Sequence, residues 1–116
     1  MALAVLAAGT DRVEVAGGSM RPTLEPGDRL LVWRTRRVGV GQLVVLTDPR
    51  RPDRPLVKRV TCVDPDGSVT VAGDNPAASM DSRAFGSVAR ASIQGRALYR
   101  YHPPARAGWV GAARPL

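Results

Sequence analysis

The hydrophobic positions of this chain fall into short, valine-rich runs that are separated by proline and glycine. No stretch of a dozen residues shows an apolar stripe at helical spacing, whereas runs of about four to eight apolar or alternating residues are typical of β-strands. The pattern therefore predicts an all-β domain. The predicted strands are 12–16, 28–34, 42–47, 55–63, 68–72 and 93–101.

Two short sequences between these runs predict tight turns. EPGD (25–28) has Pro and then Gly at its central positions, which favours a type II turn because Gly readily adopts a positive φ. DPDG (64–67) favours a type I turn that joins two strands as a hairpin. The segments 17–24 and 73–86 do not fit a simple meander, and we expect the second to be an ordered, functional loop because long irregular loops are usually functional or disordered.

The length of 116 residues indicates one domain, with a core of Val, Leu and Ala because aromatic residues are few. We expect a short apolar N-terminal segment (1–12), a folded domain (13–101) and a mobile tail rich in Pro, Ala and Arg (102–116).

Composition narrows the chemistry. The single cysteine, Cys62, excludes an internal disulfide, and with a single histidine, His102, no clustered metal site is visible, so we expect neither a metal nor a cofactor.

The apolar stretch 1–10 is shorter than the ~20 residues of a membrane span and lacks the basic start of a signal peptide. These observations predict a cytoplasmic protein. The net charge of +7 is interpreted as a solvated surface rather than a specific nucleic-acid site.

Among the seventeen Lys and Arg residues, Lys58 is the only lysine. An ammonium can lose its proton when buried, whereas a guanidinium effectively cannot. Alternation along 55–63 places Lys58 on the side of Leu56, Val60 and Cys62, and places Arg59 on a mixed face with access to water. Because burial lowers the pKa of an amine, Lys58 is a candidate proton acceptor near neutral pH.

A proton acceptor needs a nucleophile, and Ser19 is the candidate. It lies in a Gly-Gly-Ser-Met turn directly after the first predicted strand. Glycines before a serine allow an unusual backbone and the close approach of another chain. A serine paired with a neutral lysine is a known arrangement for acyl transfer. An ordinary turn serine is the simpler interpretation of GGS taken alone.

Three segments together resemble type I signal peptidases. GGSMRPTLEPGDRLLV resembles their nucleophile box, LVKRV their lysine box and GDNPAASMDSRAFGSV their late box, in the same order along the chain. The resemblance implies a signal peptidase or SOS-repressor-like domain of short, coiled antiparallel sheets. It also implies a serine peptidase of the S26/S24 type.

The resemblance assigns roles to residues of all three boxes. Ser19 would be the nucleophile and Lys58 the general base. Five residues of the late box would support them: Ser79 by orienting the amine, Asp81 and Arg83 as an ion pair, and Asp74 and Asn75 by fixing the loop. In two respects the chain departs from the family: it shows no N-terminal membrane anchor, and Gly17 stands where many members have a hydroxyl residue that helps to bind the oxyanion.

The implied reaction is hydrolysis of a peptide bond in a substrate that lies extended along a strand edge near 12–16 and 55–60. Four apolar residues are candidates for binding it: Val13, Val15, Met20 and Leu56. The short form of the late box most resembles the nickel-type superoxide dismutase maturation proteases. This implies that the partner is a precursor with an N-terminal leader; contact with a membrane surface is an open alternative.

Three other functions compete with this interpretation. The chain is also compatible with a self-cleaving SOS-repressor-type domain, since Ala7 to Gly9 offers an Ala-Gly bond ahead of Ser19. A non-catalytic β-domain would use the basic surface to bind nucleic acid or anionic lipid. A thiol protease pair of Cys62 and His102 is disfavoured, because a small cysteine among valines is expected to be buried.

Overall fold

The computed structural model describes residues 9–48, 51–78 and 87–110. Within these ranges the chain forms eight strands and three short 3-10 turns. The strands are β1 (Thr10–Glu14), β2 (Arg29–Arg34), β3 (Leu43–Asp48), β4 (Arg51–Val63), β5 (Val69–Ala72), β6 (Ser87–Val88), β7 (Ile93–His102) and β8 (Gly108–Trp109). The 3-10 turns are Pro76–Ala78, Arg90–Ser92 and Pro104–Arg106. The predicted all-β fold is confirmed.

The described strands form one antiparallel sheet in the order β1-β2-β7-β3-β4-β5-β6, and β8 pairs with β7. The strand β7 lies in the middle although it is formed late in the chain, because it pairs with both β2 and β3. Among the described strands, only β2 pairs with β1, so the other edge of β1 is open.

The core lies on both faces of the sheet and is divided by β3. Leu43 and Val45 point to one side and Val44 and Leu46 to the other, which explains why this run is apolar without alternation. The first cluster contains Val15, Met20, Leu24, Leu30, Val32, Leu43, Val45, Val57 and Ala97. The second contains Val44, Leu46, Val60, Val69, Val71, Val88 and Ile93.

The predicted strand at 55–63 begins earlier in the structure, at Arg51. The predicted strand starts at Pro55, whereas in the structure Pro55 lies inside β4. The N–H of Val60 donates to Gln42 O on the β3 side, so by alternation Pro55 has its nitrogen on the opposite side, where no ladder bond is needed. The sequence pattern also missed β6 and β8, which have only two residues each.

Both predicted turns are present. The Asp28 N–H donates to Glu25 O at 3.0 Å, and Gly27 has φ +92°, as a type II turn requires. The Gly67 N–H donates to Asp64 O at 2.9 Å at the end of the β4–β5 hairpin.

Part of the segment expected to be a mobile tail packs on the sheet. The ring of Trp109 meets the edge of Tyr99 with centroids 5.2 Å apart, and the Val110 N–H donates to Leu98 O at 2.8 Å. Such contacts between residues ten or more positions apart cannot be deduced from local sequence.

Candidate active site

Ser19 lies in a partly exposed turn between β1 and β2, within residues 17–28, which we call the nucleophile segment. Gly17 has φ +74°, a conformation that favours glycine, and it turns the chain away from β1. The next residue after Ser19, Met20, is 1% exposed and packs in the first core cluster with Leu24. Core residues therefore lie on both sides of Ser19 in the chain, Val15 before it and Met20 after it, while Ser19 itself stays partly exposed.

Lys58 lies in the middle of β4 and is 3% exposed, so the prediction that it occupies a dry position is confirmed. It stands opposite Val44 of β3 and on the same face as Val60, both of which are buried. The role of Lys58 as general base stays a prediction, and so does the role of Ser19 as nucleophile.

Asn75 ties the nucleophile segment to the loop that follows β5. Its backbone N–H donates to Ser19 O at 2.9 Å, and its side-chain amide donates to Gly18 O at 3.0 Å. The predicted role of this residue was to fix the loop. In the structure its two bonds fix the loop directly to the residue proposed as nucleophile and to its neighbour.

Asp74 continues this connection to β4. Its carboxylate accepts two hydrogen bonds from Arg59, from Nε at 2.9 Å and from Nη2 at 2.7 Å. Because Arg59 is the direct neighbour of Lys58, a short series of contacts links the turn of Ser19 to the strand of Lys58. The structure therefore brings together two segments that are 39 positions apart in sequence.

Arg59 is an important residue whose environment the sequence did not predict. It was expected to point toward water, but its side chain is 19% exposed and also donates from Nη1 to Gly41 O at 2.8 Å. The hydrogen bond to Asp74 raises the pKa of the guanidinium, which favours its charged form. Alternation gave the face of Arg59 but not its partner, because a loop distant in sequence supplies the carboxylate.

Thr23 was also missed. Its hydroxyl donates to Asp74 Oδ2 at 2.5 Å, and its carbonyl accepts from Arg100 Nη1 at 3.0 Å. The only sequence signal was its position four residues after Ser19, which does not indicate a partner 51 residues away.

A small surface cavity opens beside Ser19, between the end of β1 and the first half of β4. Three of the four predicted substrate-binding residues line it, namely Val15, Met20 and Leu56. The fourth, Val13, packs against the first core cluster. The cavity is also lined by Glu14, Ala16, Ser19, Arg54, Pro55 and Val57.

Two strands present open backbone edges at this cavity. Just after β1, the N–H of Val15 donates to Asp28 O and its C=O accepts from the Gly27 N–H, so by alternation the N–H and C=O groups of Glu14 and Ala16 point outward. In β4, pairing with β5 begins only at Arg59, which leaves the preceding residues open on that side in the described structure. An extended peptide can pair with such an edge.

Three predicted site residues, Ser79, Asp81 and Arg83, lie outside the described residues. Within the described ranges no group of three or more His, Cys, Asp and Glu residues is placed to hold a metal ion. A helix that could span a membrane is likewise absent from the described part of the chain.

Cys62 does not occupy the buried position expected for it. It is exposed, because the register shift between Val60 and Cys62 interrupts the alternation of β4. Its thiol contacts Asp64 Oδ1 at 3.5 Å, and this hydrogen bond raises the pKa of Cys62. A raised pKa reduces the thiolate fraction, which disfavours a thiol nucleophile at this position.

Comparison with known proteins gives relatives of one kind. The chain is 35% identical to mitochondrial ATP-independent inner membrane protease subunit 1a of Arabidopsis thaliana, with 78% of this chain and 69% of that protein covered. It is 32% identical to mitochondrial inner membrane protease subunit 2 of Danio rerio, covering 79% of this chain and 64% of that protein. It is 31% identical to mitochondrial inner membrane protease subunit 2 of Schizosaccharomyces pombe, covering 83% of this chain and 67% of that protein.

These relatives correct one prediction and leave a second without support. They are proteases of the mitochondrial inner membrane, so the cytoplasmic location predicted from the short apolar N-terminus is wrong. The relatives are also named as inner membrane proteases rather than nickel superoxide dismutase maturation proteases, so the narrower resemblance has no support from them.

The family comparison agrees with the three boxes. The model of signal peptidase, peptidase S26, matches residues 1–67 and 61–102, which is most of the chain. The prediction of a serine peptidase of signal-peptidase type is thereby confirmed. This chain belongs to the signal peptidase family, peptidase S26.

Proposed function

We propose that the chain is a serine endopeptidase in which Ser19 is the nucleophile and Lys58 the general base, and that it removes an N-terminal leader from a precursor protein. The observation that carries this proposal is the link from Ser19 through Asn75 and Asp74 to Arg59. It holds an accessible serine turn against the strand of a buried lysine, beside a cavity with open strand edges.

In the proposed reaction, the neutral amine of Lys58 takes the proton of the Ser19 hydroxyl as Oγ attacks the carbonyl carbon of the scissile bond. The ammonium then gives its proton to the leaving amine, and the C–N bond breaks to leave an acyl-enzyme. Water attacks the ester with Lys58 again as base, and Ser19 is regenerated. The predicted role of Ser79 is to orient the amine, with Asp81 and Arg83 paired behind it.

The oxyanion needs hydrogen-bond donors. The backbone N–H of Ser19 is one candidate, and Gly17 has no hydroxyl to supply a second. Loss of one such donor costs about 100-fold or more in rate. We therefore expect a slow enzyme unless a backbone N–H from elsewhere in the nucleophile segment points at the oxyanion.

The substrate enters as an extended strand between the open edges of β1 and β4. Its backbone pairs with the outward N–H and C=O groups of Glu14, Ala16 and Val57. Residues before the cut that face Val15, Met20 and Val57 have apolar, closely packed surroundings, which favours small apolar side chains.

The place of action follows the relatives. Their names put them at the mitochondrial inner membrane, and we propose that this chain likewise meets its precursor at a membrane surface. The nickel superoxide dismutase precursor inferred from the narrower resemblance is one candidate substrate among leader-bearing precursors.

The test is incubation of the purified chain with leader-bearing precursors, including a nickel superoxide dismutase precursor, with new N-termini identified by mass spectrometry. Ser19→Ala and Lys58→Met should abolish cleavage. Lys58→Arg is the matched control for charge, because a guanidinium cannot act as the base at neutral pH. Full activity in either lysine variant would refute the assigned base.

Two measurements separate the proposal from its alternatives. A serine-directed covalent inhibitor should label Ser19 in the parent and not in Ser19→Ala, which a purely binding domain would not show. The intact mass of the chain should stay constant during incubation. Shortening that depends on Ser19 would indicate the self-cleaving alternative instead.

A further inference from the structure

The cavity beside Ser19 has an apolar interior and a charged outer rim. The interior consists of Val15, Met20 and Val57, which are 8% exposed or less. The rim carries two charged, exposed residues, Glu14 from β1 and Arg54 from β4. The two strands thus place opposite charges on the two sides of the path proposed for the substrate.

An extended peptide in this path alternates its side chains between the two environments. If one residue points inward to the valines, its neighbour points outward and passes between Glu14 and Arg54. The outward residue therefore meets charged groups, while the residues on either side of it meet apolar ones.

The two charges on the rim are not equally available to a substrate. Glu14 Oε1 lies 3.5 Å from Arg29 Nε, an exposed ion pair that offsets part of its charge. Among the described residues, no carboxylate lies within ion-pair distance of the Arg54 guanidinium. The rim is therefore net attractive to an acidic side chain.

From this asymmetry, and given the proposed function, we infer that Arg54 is a specificity-determining residue. It selects precursors that carry Asp or Glu at the outward position between two small apolar residues before the cut. The interaction is a solvent-exposed ion pair, for which ~0.2–1 kcal/mol is typical, corresponding to a preference of about 1.4- to 5-fold over a neutral or basic residue.

The experiment uses three otherwise identical peptides with Asp, Asn or Lys at the outward position. The parent should cleave the Asp peptide with a kcat/KM about threefold that of the Lys peptide. The variant Arg54→Glu should invert this order, and Glu14→Gln should widen the preference for Asp. Raising the salt concentration to about 0.5 M should bring the parent's ratio toward one, because exposed charges are screened.

Arg37→Glu is the matched control, because it makes the same change in net charge in an exposed turn outside the cavity. It should keep the parent's order of peptides. If Arg54→Glu leaves the order unchanged, or if Arg37→Glu changes it equally, the role of Arg54 is refuted.

Binding of the same labelled peptides to Ser19→Ala, measured by fluorescence anisotropy, makes the outcome independent of catalysis. If the Asp peptide binds more tightly than the Lys peptide but the parent cleaves neither, the proposed function is refuted and the subsite is supported. If cleavage depends on Ser19 but the three peptides are cleaved and bound equally well, the subsite alone is refuted. Absence of both cleavage and binding would refute both.

Discussion

The two ends of the nucleophile segment are held by different kinds of anchor. The near anchor, at Gly18 and Ser19, is formed by Asn75 and by Asp74 with Arg59. The far anchor, at Asp28, is formed with two arginines that lie much later in the chain: Arg100 in β7 and Arg106 in the turn before β8.

The anchors differ most in their contact with solvent. The side chain of Asp28 is 1% exposed, whereas that of Asp74 is 18% exposed. Asp28 also accepts a hydrogen bond from the backbone N–H of Glu25 at 2.9 Å, so its carboxylate closes the turn as well as binding both arginines. The difference indicates that the far anchor mainly stabilises the fold, while the near anchor mainly positions the proposed active site.

The strongest test of this comparison is Asp28→Asn. It leaves Arg100, which is 15% exposed, and Arg106 next to each other without a carboxylate. Removing one partner of a buried ion pair typically costs ~3 kcal/mol or more of unfolding free energy. Urea denaturation should show this loss, while the specific activity of the molecules that remain folded stays near that of the parent. A stability loss below ~1 kcal/mol would contradict a structural role.

Asp74→Asn should show the reverse balance. The pair with Arg59 is partly exposed, so we expect a stability loss of only ~1–2 kcal/mol. Activity should fall by about tenfold or more, because small misplacements of reacting groups are costly in rate. The loss should appear in kcat more than in KM. Equal effects of Asp28→Asn and Asp74→Asn on kcat would remove the distinction between the anchors.

Thr23 joins the two anchors, since its hydroxyl binds Asp74 and its carbonyl binds Arg100. Thr23→Val keeps the shape and the carbonyl but removes the hydroxyl, and should cost ~1 kcal/mol of stability. It should lower kcat, and Thr23→Ser should restore the rate. A serine variant as slow as the valine variant would show that packing, not the hydrogen bond, matters at this position.

The smallest effect is expected at Trp109 in β8, three residues after Arg106 of the far anchor. Trp109 is 79% exposed and contributes mainly its edge contact with Tyr99, so Trp109→Ala should cost ~0.5–1 kcal/mol in thermal or urea unfolding. Peptide cleavage should be unchanged. A large loss of activity would show that β8 reaches the site through contacts other than the far anchor.

Much of the fold was predictable because it depends on local patterns. Valine-rich runs identified the six longer strands, and the Pro-Gly and Asp-Pro-Asp-Gly sequences identified two turns with their hydrogen bonds. The strands that were missed, β6 and β8, are too short to carry a period, and the early start of β4 was hidden by Pro55. Their positions depend on pairing with distant strands.

The site was predictable where chemistry singled out a residue. Lys58 stood out as the only lysine, and its burial followed from the alternation of apolar neighbours. Arg59 and Thr23 were not predictable in the same way, because both are defined by Asp74, which reaches them from a loop far along the chain. Burial of Cys62 was predicted wrongly because a register shift cannot be read from alternating residues.

The open edge of β1 has a consequence for the solubility of the protein. An unpaired strand edge that admits a substrate peptide also offers a template for the same edge of a second molecule. Asp11, Arg12 and Glu14 are exposed along this short strand, and charged side chains on an edge strand oppose such self-association. The charge of Glu14 at the cavity, together with those of Asp11 and Arg12, thus opposes edge-to-edge association between two molecules.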